Sequence, residues 1–253
     1  MSHARYDQIG EGYAAYRRPD PEIQRRIDVA LAGAKSVVNV GAGTGSYEPE
    51  ERYVIAIEPS DVMAAQRPPE RAPAIRAFAD DLPLRDQSVD AAMSVLSLHH
   101  WDDARRSGVE EMRRVARGAV VIVTYDPRVS AKVWLLADYL PEVAALDFAT
   151  FPLPETLVDW LGGATIEPIP LAATTPDWML GSFWAHPERV LDAGARNATS
   201  GFARQPESVV RRVVDSVRRD LGDGSWDARY GYLRQLERFD VGLRLIVSPG
   251  LAR

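Results

Sequence analysis

The sequence has 253 residues, of which 46% are hydrophobic and 26% are charged, as in an ordinary globular protein with a sizeable core. Its formal net charge of −6 provides no broad basic field, so we do not expect a nucleic-acid partner. The complete absence of cysteine excludes disulfides, thiolate nucleophiles and cysteine-ligated metal centres.

The first residues of the sequence are polar and contain no apolar run of the kind found in secretory leaders. No stretch approaches the ~20 apolar residues that a membrane span needs, so we expect a cytoplasmic protein without a membrane partner. Between Tyr6 and Leu31, apolar and aromatic residues recur at helical spacing, and Pro19 and Pro21 interrupt the pattern. This segment therefore predicts two helices separated by a short break.

Short apolar runs follow, each bounded by a turn signal or a helical stretch. Strands that are apolar almost throughout belong to sheets covered on both faces. The predicted strands span residues 36–40, 53–57, 74–79, 89–98 and 119–125. The predicted helices between them span residues 59–66 and 102–116, with a cramped segment at 47–51. This β-α-β alternation indicates a parallel sheet.

After residue 127 the alternation gives way to a mostly helical region with many aromatic residues. We predict a helix at 153–161 closed by two glycines, and a strand at 165–168. A long insertion, roughly 172–240, has helical patterns at 187–195, 208–221 and 229–239, and a last strand is predicted at 241–247. No internal repeat or low-complexity linker separates the insertion, so we expect it to pack on the sheet as a cap.

The first strand runs into a glycine-dense turn, Asn39-Val40-Gly41-Ala42-Gly43-Thr44-Gly45. Glycines at that place let the backbone bend tightly and let a ligand approach the main chain. The second strand ends in Glu58, where doubly wound nucleotide-binding sheets place a carboxylate that accepts hydrogen bonds from a ribose diol. Together the two strand ends predict a site of the size of an adenosine.

The spacing of the glycines distinguishes between candidate nucleosides. A dinucleotide fingerprint has the spacing G-x-G-x-x-G, whereas this turn has G-x-G-x-G. The segment after it contains Glu48, Glu50 and Glu51, which would repel a pyrophosphate but not a ligand with a sulfonium and an ammonium. The motif favours S-adenosyl-L-methionine (SAM), and an NAD-dependent oxidoreductase is the less favoured enzyme class.

Four segments in this order resemble the class I SAM-dependent methyltransferases of the methyltransferase domain 11 type. They are VVNVGAGTG (37–45), IEPSDVM (57–63), ADDLPL (79–84) followed by SVD (88–90), and SLHHW (97–101). The resemblance spans about residues 36–126. This chain departs from the family pattern at Asn39, where an acid is usual, at Phe78, and in the short stretch between Gly45 and Glu58.

The resemblance implies an α/β fold of the Rossmann-like, doubly wound kind. Its mostly parallel seven-stranded sheet would have an antiparallel last strand and carry a helical cap insertion. The chain would then divide into an N-terminal helical lid (1–35), a SAM-binding core (36–171), a helical cap (172–240) and the final strand of the core sheet (241–253).

The resemblance also implies SAM as the cofactor and a set of residues around it. The glycines would pass the methionine part, Glu58 would hold the ribose hydroxyls, and the Ala79-Asp80 stretch would lie along the adenine edge. Leu98 and His99 would border the sulfonium. The implied cofactor-binding residues are Tyr13, Arg17, Asn39, Gly41, Ala42, Gly43, Gly45, Glu58, Pro59, Met63, Ala79, Asp80, Asp81, Leu98 and His99.

Methyl transfer from a sulfonium is an in-line displacement, in which alignment contributes about 7–11 kcal/mol. A base is needed only if the acceptor must lose a proton. His99 and His100 follow the fourth strand, and one of them is the candidate base; the favoured alternative is that both only line or cap the strand end. Neighbours on an extended chain point opposite ways, so we expect no metal site there. Tyr13 and Arg17 belong either to the lid or to a packing stripe.

We therefore expect SAM-dependent methyl transfer to a small-molecule acceptor, with O-, N- and C-methylation all left open. The alternative is a SAM-binding protein of the same fold without methyltransferase activity. Aromatic residues of the later segments either wall an apolar acceptor pocket or form the core of the cap, namely Trp134, Tyr139, Trp178, Phe183 and Trp184. The oligomeric state is not predicted.

Overall fold

A computed structural model describes residues 16–249 of the protein. Its nine strands are β1 (Ser36–Val40), β2 (Tyr53–Ile57), β3 (Ala74–Ile75), β4 (Ala91–Val95), β5 (Val120–Tyr125), β6 (Thr165–Pro168), β7 (Leu171–Ala172), β8 (Arg238–Phe239) and β9 (Leu243–Ser248). Seven of them form one sheet in the order β3-β2-β1-β4-β5-β9-β6. Strands β1 to β5 are parallel, and β9 is antiparallel to both of its neighbours. The predicted fold class is thereby confirmed.

Ten α-helices surround this sheet within residues 16–249. They are α1 (Pro21–Ala30), α2 (Asp61–Ala65), α3 (Arg105–Val115), α4 (Pro127–Ser130), α5 (Pro141–Thr150), α6 (Pro154–Leu161), α7 (Ala193–Asn197), α8 (Ser200–Ala203), α9 (Glu207–Gly222) and α10 (Ser225–Tyr230) among the described residues. A π-helix spans Leu135–Tyr139, and 3-10 helices span Leu98–His100, Asp102–Ala104, Leu180–Ala185, Pro187–Leu191 and Gly231–Gln235.

Alternate side chains of the strands enter two separate cores, because successive residues of a strand point to opposite faces. Val37 and Val121 belong to the core that α1 and the cap segments cover. Val38 and Ile122 belong to the core on the other face, which α3 and α6 cover. Both faces of the central strands β1, β4 and β5 are therefore buried, which explains why they are apolar almost throughout. The edge strand β6 is exposed.

Local sequence signals define the ends of the covering helices. Asp20 caps α1, its carboxylate accepting hydrogen bonds from the backbone N–H groups of Glu22 and Ile23. Helix α6 begins with Pro154 and ends at Gly162, whose φ of 66° lies in the left-handed region. These caps fix the helices that support the strand ends described below.

Two predicted strands are shorter in the structure than expected. The strand predicted at 74–79 is confined to Ala74–Ile75, because β2 offers partners only at Ala56 and Ile57. The strand predicted at 89–98 is confined to Ala91–Val95, since Leu96 has a φ of 52° that ends the extended backbone. The cramped segment at 47–51 contains turns and no helix.

In the cap, one predicted helix is confirmed and two are wrong in extent. The helix predicted at 208–221 is α9. The prediction at 187–195 fails at Asp192, whose extended backbone divides a 3-10 helix from α7. The prediction at 229–239 is wrong, because α10 ends at Tyr230 and the chain later forms β8, which pairs with β7.

The structure describes only part of the N-terminal segment in which two helices are predicted. Helix α1 is the second of the two predicted helices. The first falls mainly on residues before Tyr16 and lies outside the described residues, as does Tyr13. The division of the chain into lid, core, cap and final strand stays a prediction.

Candidate active site

The glycine turn after β1 is held against the tips of two neighbouring strands. The backbone N–H groups of Gly41 and Ala42 both donate to the carbonyl of Ile57 at 2.9 Å, which ties the turn to β2. Gly41 has a φ of 70°, and a Cβ there would lie 2.1 Å from Ser97 Oγ. Ser97 Oγ in turn donates to the carbonyl of Val40 at 3.1 Å. The turn therefore needs glycine at position 41 both for its conformation and for this close approach.

Glu58 occupies the tip of β2, facing the same turn. Its side chain is buried, and its two carboxylate oxygens accept hydrogen bonds of 2.8 Å from the backbone N–H groups of Gly43 and Ser60. Burial raises the pKa of Glu58, and the two backbone N–H groups oppose that rise. Each oxygen keeps a further lone pair for a ligand.

Asn39 and Glu48 are joined under the glycine turn. Asn39 Nδ2 donates to Glu48 Oε1 at 3.1 Å, and Arg67 Nη2 donates to the two Glu48 oxygens at 2.9 and 2.7 Å. Arg67 Nη1 also donates to the Gly43 carbonyl at 3.0 Å. Asn39 Oδ1 is buried and has no hydrogen-bond partner among the described residues.

This arrangement corrects one step of the sequence argument. Glu48 is not a free carboxylate that repels phosphates, because Arg67 neutralises it in a buried ion pair. Glu50 is 84% exposed and pairs with Arg71 at 3.5 Å. The discrimination against a pyrophosphate therefore depends on the glycine spacing rather than on these acids.

A cavity of about 570 Å³ extends across the carboxyl ends of β1, β2, β4 and β5. The predicted site residues that line it are Arg17, Asn39, Gly41, Ala42, Gly43, Glu58, Pro59, Met63, Ala79, Asp80, His99 and His100. Three predicted residues lie outside this lining. Gly45 packs against Glu48, Asp81 is exposed, and Leu98 is buried in the core that α3 covers.

His99 and His100 are arranged differently from the expectation for an extended chain. They lie on a 3-10 turn, so their rings are on the same side, with centroids 3.8 Å apart. His99 is buried and stacks on Phe151 at 4.2 Å. Both histidines line the cavity, and His99 contacts another lining residue, Phe151.

The far end of the cavity is mainly apolar and was not predicted from the sequence. Its lining includes Tyr125, Val143, Asp147, Phe151, Met179, Leu180, Thr199, Ser200 and Gly201. Tyr125 donates a hydrogen bond to Met179 Sδ at 3.0 Å, and its burial raises its pKa. These residues come from β5, α5 and the cap, so no local motif unites them.

Arg17 is held in the cavity wall by a residue of the cap. Its guanidinium is ion-paired with the buried Asp177, which also accepts a hydrogen bond of 2.8 Å from Tyr47. A weaker bond of 3.4 Å runs from Arg17 Nη1 to the carbonyl of Ala198. Sequence reasoning selected Arg17 but missed Asp177, since the two are 160 residues apart.

The aromatic residues of the cap belong mostly to its core. Trp134, Tyr139, Phe183 and Trp184 are buried in the hydrophobic core and do not line the cavity. Trp178 is partly buried and carries the guanidinium of Arg189 over its ring at 4.3 Å. Of the two roles that the sequence left open for these aromatic residues, four of the five have the second, as part of the hydrophobic core.

Two negative findings concern the described part of the chain. Within residues 16–249, no helix combines the length and apolar character required to cross a membrane. The same residues contain no group of three or more His, Cys, Asp or Glu side chains arranged to bind a metal ion.

The methyltransferase domain family has a model that matches residues 38–124. Uncharacterized methyltransferases of Mycobacterium tuberculosis and Mycobacterium bovis are 36% identical to this chain over 119 residues. That match covers 43% of this chain and 47% of each relative, so it spans about half the length of the curated relatives.

Solved structures extend the likeness over nearly the whole chain. A protein described as a methyltransferase from an antibiotic biosynthesis pathway of Anabaena variabilis is 30% identical, with a TM-score of 0.85, covering 92% of this chain and 98% of its own. A phosphoethanolamine N-methyltransferase of Haemonchus contortus, crystallised with S-adenosylhomocysteine, shares the fold at 12% identity and a TM-score of 0.55, covering 92% of this chain and 53% of its own. The four motifs occur in the order of the family, the sheet topology matches, and a 30% identical relative aligns along almost its full length. The chain therefore belongs to the class I SAM-dependent methyltransferases.

Proposed function

We propose that the protein transfers the methyl group of SAM to a small, partly apolar molecule bound in the same cavity. The observation that carries this proposal is the position of Glu58, a buried carboxylate at the tip of β2 that faces the glycine turn of β1. Its oxygens retain lone pairs that can accept hydrogen bonds from the two ribose hydroxyls. The match spans only about half the length of each curated relative, so the proposal does not depend on the activity of those proteins.

The charges of the cavity suit a cationic donor. Its described lining contains five carboxylates and a single guanidinium, that of Arg17, which Asp177 already engages. Asn39 lines the cavity and its Oδ1 has no hydrogen-bond partner among the described residues, so we infer that it accepts a hydrogen bond from the ammonium of SAM, in the position where the family usually has an acid. A cation at this place would be attracted by the excess of carboxylates.

The remaining predicted residues complete the donor site in this proposal. Gly41, Ala42 and Gly43 would lie along the methionine part, with Pro59 and Met63 beside the ribose. Ala79 and Asp80 would lie along the adenine edge, since both line the cavity beyond β3. These assignments combine the roles that the motif resemblance implies with the residues that line the cavity.

The protein's contribution to the chemistry is mainly alignment. SAM supplies a methyl group on a positively charged sulfur, which already makes a good leaving group. His99 and Phe151 both line the cavity and stack on each other, so the 3-10 turn after β4 contacts the apolar part of the lining. The walls can therefore exclude water and present an acceptor in line with the methyl group.

Calorimetric titration with SAM tests the donor site. We expect Glu58→Ala to weaken binding about 30-fold, which corresponds to a loss of about 2 kcal/mol. Glu50→Ala removes an exposed carboxylate outside the cavity and is the matched control, with wild-type affinity expected. If Glu58→Ala binds SAM as tightly as the wild type, or if NAD binds in its place, the proposal is wrong.

A second measurement separates methyl transfer from SAM binding alone. The wild-type protein is incubated with SAM and a small-molecule extract, and the formation of S-adenosylhomocysteine is followed. We expect extract-dependent product. SAM binding without any product from any extract would favour the alternative of a binding protein with the same fold.

A further inference from the structure

Asp147 is a carboxylate at the apolar end of the cavity, outside the motifs that define the family. It lies on α5, four residues after Val143, so the two side chains share one face of the helix. Both line the cavity, together with Phe151 and Leu180. Asp147 also lines a smaller adjoining cavity of about 40 Å³. It therefore belongs to the wall of the space available to an acceptor.

The backbone places Asp147 one helical turn before Phe151, which also lines the cavity. The carbonyl of Asp147 accepts a hydrogen bond of 2.8 Å from the N–H of Phe151. Phe151 stacks on His99, and α5 packs against the 3-10 turn that contains both histidines. An acceptor that contacts Asp147 can thus reach the region where the methyl group would be presented.

No hydrogen bond or ion pair joins the carboxylate of Asp147 to any described residue. Burial raises its pKa to about 7, and the more distant charge of Arg204 lowers it only in part. The other titratable groups that face this end of the cavity are His99 and His100 from the 3-10 turn and Tyr125 from β5. A carboxylate in apolar surroundings destabilises the fold unless it gains a partner.

We propose that Asp147 binds and deprotonates the methyl acceptor, and that this acceptor is an amine on a compact apolar body. The inference rests on the proposed function. Apolar neighbours such as Val143, Met179 and Leu180 would contact the body of the molecule. A protonated amine would give this half-buried carboxylate the ion-pair partner that the described residues do not provide.

An amine suits this carboxylate better than an alcohol does. A carboxylate that titrates near neutral pH can remove a proton from an ammonium to an extent useful for catalysis, whereas it is a far weaker base toward an aliphatic hydroxyl. The aromatic rings of Tyr125 and Phe151 in the same lining also favour a cationic ligand.

In the proposed step, the carboxylate of Asp147 takes one proton from the acceptor ammonium and becomes a carboxylic acid. The freed nitrogen lone pair forms a bond to the methyl carbon while the carbon–sulfur bond breaks, its electron pair remaining on sulfur. The products are an N-methylated ammonium and S-adenosylhomocysteine.

The first experiment identifies the methylated atom. The wild-type protein is incubated with methyl-labelled SAM and the small-molecule fraction of a cell extract, and the labelled product is characterised by mass spectrometry and NMR. We expect the label on the nitrogen of an apolar amine. A label on a hydroxyl oxygen, a carboxylate or a carbon overturns the inference while leaving methyl transfer intact.

The second experiment uses Asp147→Asn, which keeps the size of the side chain and removes its charge and basicity. With the same extract we expect labelled amine to form about 100-fold more slowly, and SAM affinity to stay within about twofold of the wild type. Glu142→Gln is the matched control, because this carboxylate lies on the same helix but outside the cavity. Wild-type rates are expected for it.

The outcomes separate the two proposals. Failure of the wild type to bind SAM, or to transfer any label, contradicts the proposed function itself. Wild-type rates in Asp147→Asn overturn only the inference about Asp147. A marked loss of SAM affinity in that variant would assign Asp147 to the donor and also overturn it. Circular dichroism of each variant checks that the fold is retained.

Discussion

Gly41 and Gly33 both have positive φ values, of 70° and 82°, but differ in their surroundings. A Cβ on Gly41 would meet Ser97 Oγ at 2.1 Å, whereas a Cβ on Gly33 would have no atom within 4 Å. We expect Gly33→Ala to cost about 1 kcal/mol in the free energy of unfolding, from backbone strain alone. Gly41→Ala should cost about 1–3 kcal/mol more, since it adds a steric clash.

Urea denaturation of the two variants measures this difference, and SAM titration of each measures its effect on the site. Gly33→Ala should bind SAM normally because it lies outside the cavity. Equal stability losses in the two variants would mean that the contact between the glycine turn and Ser97 contributes nothing.

The pKa of Asp147 also predicts a pH-dependent stability. Its folded-state value is about 7, against an ordinary value of 3.8, so the unfolded chain releases this proton at lower pH than the folded protein. The contribution of Asp147 to the free energy of unfolding is therefore fully present below the ordinary value and is lost as pH rises to about 7.

We expect Asp147→Asn to be more stable than the wild type at about pH 8, and the difference to disappear near pH 4. Thermal or urea unfolding at several pH values checks this. A difference that is the same at every pH would show that the carboxylate titrates normally in the folded protein.

At the scale of residues, the sequence predicted those site residues that lie directly after predicted strands. The glycine turn and Glu58 follow directly on predicted strands, so strand topology alone brings them together. Glu48 was misjudged because its neutralising partner, Arg67, is 19 residues away. The sequence does not single out Asp147, since one acid in a helical pattern looks like any solvent-facing residue until the fold brings it into the cavity wall.

Arg67 connects two elements of the donor site. It donates to Glu48 after β1, to the carbonyl of Gly43 in the turn, and to the carbonyl of Ala72 before β3. Its side chain and that of Glu48 are almost wholly buried. Removing only the cation would leave a buried carboxylate without its charged partner.

We expect Arg67→Met to lower the free energy of unfolding by about 3–5 kcal/mol and to weaken SAM binding. Glu48→Gln also leaves a buried charge without its ionic partner, but it should cost less, because the Arg67 guanidinium keeps two backbone carbonyls and gains the amide oxygen of the new side chain as acceptors. Urea denaturation compares the two variants. Equal losses would contradict the idea that these remaining acceptors stabilise the buried guanidinium.

At the scale of elements, the strands of the sheet were predictable and those of the cap were not. Strands β1, β2 and β6 agree with the predicted bounds. In β1 and β2 these bounds follow from short apolar runs between turn signals. The prediction of a helix at 229–239 fails because β8 owes its extended form to β7, far away in the sequence. Helical periodicity carries no information about such pairing.

The whole molecule should be stabilised by the ligands of the donor site. S-adenosylhomocysteine at about 100 times its dissociation constant should add about 2.7 kcal/mol to the free energy of unfolding, which raises the Tm by about 5–10 °C. NAD at the same concentration should leave the Tm unchanged. In Glu58→Ala the shift caused by S-adenosylhomocysteine should shrink, and an undiminished shift would place the ligand elsewhere.

The position of β9 has a consequence for the order of events during synthesis. Strand β6 is hydrogen-bonded in the sheet only to β9 among the described residues, and β9 lies between it and β5. While the ribosome makes the residues that separate them, β6 has no edge to join. The five parallel strands can assemble early, but one border of the sheet must wait until the cap has been translated and β9 has emerged from the exit tunnel.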